Sequence, residues 1–240
     1  MDVYEGAVDG CCRMPYGMAS TSSRREDTVT VLAITIAIAL VLYSIILHEI
    51  SHGFIAERLG DPTARNAGRL TLNPLKHLDP IGSVILPLVT FFAFGFIIGW
   101  ALPVPVDPRR FAPRWQRFGF ALVGLAGPAI NMVIAVLCGT AFRFLGDQHG
   151  ALGTLLIVIV YLNVLLAIFN LMPLPPFDGS RILAPFMPRA IGRRMDEAGM
   201  GTALISLAVV LLLLLPILRH VTMFVASFIV GTDVAAILGR

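Results

Sequence analysis

The sequence predicts an all-α fold, a polytopic membrane helical bundle of about four to six membrane segments, one of them re-entrant. Composition points there first. Of 240 residues, 57% are hydrophobic and 14% charged, whereas soluble domains carry about a quarter charged residues. Spacing points the same way. Uncharged windows recur at 29–47, 81–106, 118–142, 151–177 and 200–218, each reaching the roughly 18–20 residues that cross a hydrocarbon core as a helix. The longest polar stretches between them leave no room for a soluble domain.

Taken in order, residues 1–27 mix Gly, Ser and both charges without an apolar core or cleavage site. They read as a disordered tail rather than a signal peptide, and residues 28–240 as one membrane domain. The first helix starts near Thr28 and runs to Leu59, where Gly60-Asp61-Pro62 supplies a stop. The window 81–106 carries Pro87, Gly95, Gly99, Pro103 and Pro105, a pattern that suits a broken, re-entrant path better than a straight span. The window 118–142 contains Gly127-Pro128-Ala129-Ile130-Asn131, and a Gly-Pro pair inside a membrane helix lets another backbone approach closely. The next ends in Pro173, Pro175 and Pro176, which cannot continue a helix, so the chain turns extended at membrane depth. Residues 200–218 read as a span closed by Pro216, and 221–232 as an interfacial or last short helix.

Cys11, Cys12 and Cys138 provide neither a disulfide framework nor a C-x-x-C metal pair. The net charge of +3 is arginine in loops, a positive-inside bias rather than a basic face interleaved with aromatics, so nucleic acid is excluded as a partner.

At the end of the first apolar run stands His48-Glu49-Ile50-Ser51-His52. Ionisable groups at membrane depth are costly and mark function. On a helix, His48 and His52 lie at i and i+4 on one face, so both imidazoles can reach one ion. Glu49, beside the first, can hold a water and take its proton. Zinc with such a base hydrolyses peptide bonds. A catalytic zinc takes about three protein ligands. Asp178, on a loop between Pro176 and Gly179, is the candidate for the third, with Asp61 and Asp79 as competitors in polar loops. His77, His149 and His220 read as having no role.

Three motifs in order, HEISH (48–52), GPAIN (127–131) and NLMPLPPFDG (170–179), make the chain resemble the site-2 protease family of intramembrane zinc metalloproteases. The stretches 68–82 and 99–111 match its compact prokaryotic branch, which has no PDZ or CBS domain. Two departures stand out. Phe177 replaces the more usual Leu, and Leu102 occupies a position that is often basic. The resemblance implies a site-2-protease-like core, one Zn2+ per chain held by His48, His52 and Asp178, and Glu49 as general base. It also implies Asn170 as a contact to substrate or oxyanion and Asn131 as a support of the site. The substrates would be transmembrane proteins in the lipid bilayer. The oligomeric state and the physiological substrate are not legible.

Topology offers a check. If 81–106 spans fully, Asp178 emerges opposite the histidines; if it dips in and returns, Asp178 arrives beside them. The second path puts Arg58, Arg65, Arg69, Lys76, Arg109, Arg110, Arg114, Arg117, Arg181, Arg189, Arg193 and Arg194 on the motif's side. Arg13, Arg24, Arg25, Arg143 and Arg219 fall on the other. The positive-inside rule then makes the site face the cytoplasm, in a prokaryotic plasma membrane. The extended 99–106 segment could pair with an unwound substrate by strand addition, an idea that Val104→Pro would test. The competing readings are a membrane metal-binding or transport protein that does not hydrolyse, and an inactive homologue. Only the protease requires Glu49.

Overall fold

The computed structural model describes residues 18–95, 102–145, 150–188, 191–192 and 199–238. The chain divides into two compact units, Met1–Ile36 and Ala37–Arg240. What is described of the first unit is the amino-terminal part of the long helix α1 (Met18–Arg58). The helix thus begins ahead of Thr28, and residues 1–17 of the expected tail lie outside the described residues. Among the described residues no strand is present, and four helices are long and apolar enough to cross a membrane. They are Thr35–Arg58, Gly119–Leu145, Ala151–Asn170 and Gly201–Val230.

The stop after α1 works as the sequence predicts. Gly60 adopts φ +112, in the left-handed region that an L side chain avoids. A short helix, α2 (Thr63–Asn66), follows. Asp79 then caps a run of wide π turns, Pro80–Ile85, by accepting from Gly82 N–H at 2.8 Å. The helix α3 (Leu86–Phe94) continues it and closes on Gly95 with φ +74. The apolar stretch Pro80–Phe92 is shorter than a span. Residues 96–101 lie outside the described residues. At Leu102 the backbone N–H donates to His77 O at 2.8 Å, so the described residues on either side of the segment lie side by side, as a re-entrant path requires.

Helices α4 (Gly119–Leu145) and α5 (Ala151–Asn170) form the central pair. Ala135 and Phe142 from α4 meet Ile157, Val160 and Val164 from α5 in one buried cluster. A helix α6 (Asp178–Leu183) follows the proline-rich turn and packs on α4. The last long apolar segment corrects the sequence reading. Pro216 does not end it: α7 (Met200–Val209) passes through π turns at Val210–Leu214 into α8 (Leu215–Val230). Proline removes a backbone donor and crowds the preceding turn, and a locally wider turn absorbs both effects inside a membrane helix. His220 therefore sits within α8 rather than after a helix end. Ala226 and Val230 of α8, with Val234 of α9 (Val234–Leu238), complete the α4–α5 core.

Candidate metal centre

The i, i+4 spacing does what the sequence predicts. His48 and His52 lie with ring centroids 4.7 Å apart, nearly perpendicular, and both are buried. Asp178, expected on a loop, is instead the first residue of α6, because the prolines end before it and leave the chain free to turn helical. Its Oδ2 lies 3.1 Å from His48 Nε2 and 3.2 Å from His52 Nε2. Ligand atoms of these three residues all lie within 4.8 Å of one another. Asp178 Oδ2 is buried and has no hydrogen-bond partner. A buried carboxylate oxygen converging with two imidazole nitrogens suits a bound cation. The donor set of two nitrogens and one oxygen suits zinc.

The partners of the remaining ring nitrogens fix which atoms are free to take a cation. His52 Nδ1 is 2.7 Å from Val123 O. A carbonyl only accepts, so Nδ1 carries the proton and Nε2 presents its lone pair. His48 Nδ1 lies 3.2 Å from Asn131 Nδ2, while Asn131 Oδ1 is buried without a partner. A half-turn of this fully buried amide lets Oδ1 accept from His48 Nδ1–H, which leaves the lone pair of His48 Nε2 free for a cation as well. The other oxygen of Asp178 takes the Arg181 guanidinium at 3.2 Å. Sequence reasoning passed over this contact, although the i, i+3 spacing on α6 carries it.

The GPAIN motif finds its physical reason in Gly127. A Cβ there would lie 2.5 Å from His48 Cε1, 2.6 Å from His48 Nε2 and 2.6 Å from His52 Cε1. Gly179 is as constrained: its Cβ would fall 2.2 Å from Leu171 O, which seats α6 against the proline-rich turn. One turn before His48, Ser44 accepts from the buried Asn163 of α5 at 3.1 Å and ties α1 to α5.

Glu49 is half-buried, and its Oε2 accepts from Val104 N–H at 3.0 Å. This changes what a proline at Val104 tests, because that amide is committed to Glu49 and is not offered to a substrate. Asp61 also differs from expectation. Read as a solvated loop carboxylate, it is fully buried, and it accepts from Thr63 N–H at 3.0 Å, from the Thr63 hydroxyl, and from Asp107 N–H at 2.7 Å. Neither Asp61 nor Asp79 belongs to the group that His48, His52 and Asp178 form. A Gly-Asp-Pro turn was the available signal. Asp107 in turn pairs with Arg109, whose hydrogen bond holds the carboxyl below the usual carboxylate range. His77, read as having no role, is buried, and its Nε2–H donates to Thr71 O at 2.8 Å. Asn170, at the end of α5, donates its Nδ2 to Leu166 O at 3.0 Å.

The profile of Peptidase family M50 matches residues 146–215, which include the Asn170–Gly179 motif. YwhC of Bacillus subtilis, named as a zinc metalloprotease, is 36% identical over 166 residues, covering 65% of this chain and 71% of that protein. Rip2 of Mycolicibacterium smegmatis, similarly named, is 35% identical over 180 residues, 75% of this chain and 66% of its own length. Zinc metalloprotease MJ0392 of Methanocaldococcus jannaschii is 25% identical over 191 residues, 78% of this chain and 46% of its own length. No solved structure matches the chain.

Proposed function

As a member of peptidase family M50, the site-2 proteases, this chain is a zinc metalloprotease of the membrane, and we propose that it hydrolyses peptide bonds in or near transmembrane segments of membrane-protein substrates. The observation that carries this is the meeting of Asp178 Oδ2 with His48 Nε2 and His52 Nε2 at 3.1 and 3.2 Å, at the end of an apolar helix. His48, His52 and Asp178 would hold the zinc. When bound, zinc lowers the pKa of a water and polarises a peptide carbonyl.

The protein's own groups do the rest. Val123 O and Asn131 hold the two imidazoles by their second nitrogens. Arg181 occupies Asp178 Oδ1, which would leave Oδ2 to the zinc. Glu49 takes the proton of the attacking water and returns it to the leaving amine. Asn170, beside the turn that delivers Asp178, contacts the substrate backbone. The substrate must unwind locally, because helical carbonyls are already bonded and shielded.

The topology supports a site at the cytoplasmic end of the bundle in a prokaryotic plasma membrane. Arg58, Arg109, Arg110, Arg114 and Arg117 all follow from the helix end that carries the motif. The test is cleavage of a model transmembrane substrate in proteoliposomes by wild type and Glu49→Gln. Cleavage by wild type alone is the expected result. A Glu49→Gln variant that binds zinc and cleaves at the wild-type rate refutes the assignment of the base. Zinc binding without cleavage in either protein favours a non-hydrolytic metal binder.

A further inference from the structure

Residues 102–107 form a strap, Leu-Pro-Val-Pro-Val-Asp, pinned to the first helix and the loops that follow it by three backbone amides. Leu102 N–H donates to His77 O at 2.8 Å, Val104 N–H to Glu49 Oε2 at 3.0 Å and Asp107 N–H to Asp61 Oδ2 at 2.7 Å. Pro103 and Pro105 have no N–H, so the face they turn away offers carbonyl acceptors alone, an edge blunted against strand pairing. The strap therefore binds inward. Val104 is buried, and its Cγ1 would lie 2.8 Å from a Cβ at Gly53, one turn beyond Glu49.

We propose that this strap positions the Glu49 carboxylate through the Val104 amide, with Asp61 as the remote anchor that sets the strap's register. The inference rests on the reading of Glu49 as general base. A glutamate has three side-chain torsions to fix, and one donor on Oε2 selects the rotamer that leaves Oε1 for the water. Placement of that kind is worth much to a reaction, since a 1 Å error costs on the order of 10²-fold. The donor is delivered by main chain and bracketed by two prolines, so it does not wander with a side chain. Its register is set by Asp61, which is fully buried and accepts from both Thr63 and Asp107. Val104 and Asp61 are thus positioning residues, acting through Glu49.

Three variants and one exchange measurement test this in the full chain. Val104→Pro removes the donor. Gly201→Ala, far along the chain in α7 where a Cβ meets nothing within 4 Å, is the control. Asp61→Asn keeps the shape of the anchor but replaces one acceptor oxygen with a donor, so it cannot serve Thr63 and Asp107 together. Val104→Pro and Asp61→Asn are expected to lower kcat by about ten- to hundredfold, with KM and bound zinc unchanged; Gly201→Ala stays within about threefold of wild type. Hydrogen exchange is read on 102–107, which carries amides only at Leu102, Val104, Val106 and Asp107. One further amide should exchange fast in Glu49→Ala than in wild type.

Unchanged exchange in Glu49→Ala, or Asp61→Asn with wild-type kcat, overturns the proposal. So does a loss of zinc or a rise in KM in step with kcat, which would assign the strap to the metal or the substrate. If Val104→Pro fails to fold, Asp61→Asn and the exchange result decide. Glu49→Gln separates the two levels. Should it cleave normally, the base assignment itself falls; should it be inactive while Val104→Pro and Asp61→Asn match wild type, the positioning role alone falls.

Discussion

Replacing Gly127 with alanine adds one methyl group where two imidazoles already sit. The new Cβ would stand 2.5 Å from His48 Cε1 and 2.6 Å from both His48 Nε2 and His52 Cε1, while ordinary contact begins at 3.4 Å. Relief therefore requires a displacement of about 0.8–0.9 Å, and zinc–ligand distances hold within about 0.2 Å. Neither ring can retreat freely, because Val123 O and Asn131 hold their far sides. Overpacking of this kind costs about 1–3 kcal/mol. Taken out of metal binding, at about 1.4 kcal/mol per tenfold, that is roughly a 5- to 150-fold loss of zinc affinity. The assay is competition with a chromogenic chelator in detergent, with Gly201→Ala as control, since a Cβ at Gly201 meets nothing within 4 Å. Zinc affinity in Gly127→Ala within threefold of the control would refute the packing argument and the placement of both rings.

Other outcomes follow from the same geometry. Asn131→Ala should weaken zinc binding by about 10- to 100-fold through loss of the His48 orienter, and Asn131→Asp should weaken it less, measured by the same competition. Arg181→Gln should retain zinc but, by releasing Asp178 Oδ1, change the zinc X-ray absorption spectrum; a spectrum identical to wild type would remove Arg181 from the account. Ile157→Ala, fully buried in the α4–α5 core, should cost about 2–5 kcal/mol of stability, whereas Phe228→Ala on the exposed face should leave Tm nearly unchanged. Arg109→Gln should lower Tm at neutral pH and converge with wild type in acid. The depressed Asp107 carboxyl contributes above the ordinary carboxylate range, and that contribution is lost as pH falls through its folded value.

Much of this site was legible because its chemistry is local. HEISH sits on one helix, where a period of 3.6 residues puts both histidines on one face. Asp178 was legible as a carboxylate stranded after an apolar run and beside prolines, and the return of Leu102 to His77 agrees with the leaflet arithmetic that required a re-entrant segment. Two readings failed for a common reason. Asp61 looked solvated and Pro216 looked like a stop, because composition does not reveal that Asp107 N–H comes to the first or that π turns absorb the second. The Val104–Glu49 contact joins residues 55 apart in sequence through a backbone amide, and a backbone donor leaves no mark in the identity of its residue.

The most direct test of the central claim is bound zinc per chain in wild type beside Asp178→Ala, each freshly purified in detergent and matched for fold by circular dichroism. One zinc in wild type and a large loss in Asp178→Ala is the predicted result, because His48 and His52 alone make a two-ligand site. Full zinc in a folded Asp178→Ala would contradict it, placing the third ligand elsewhere.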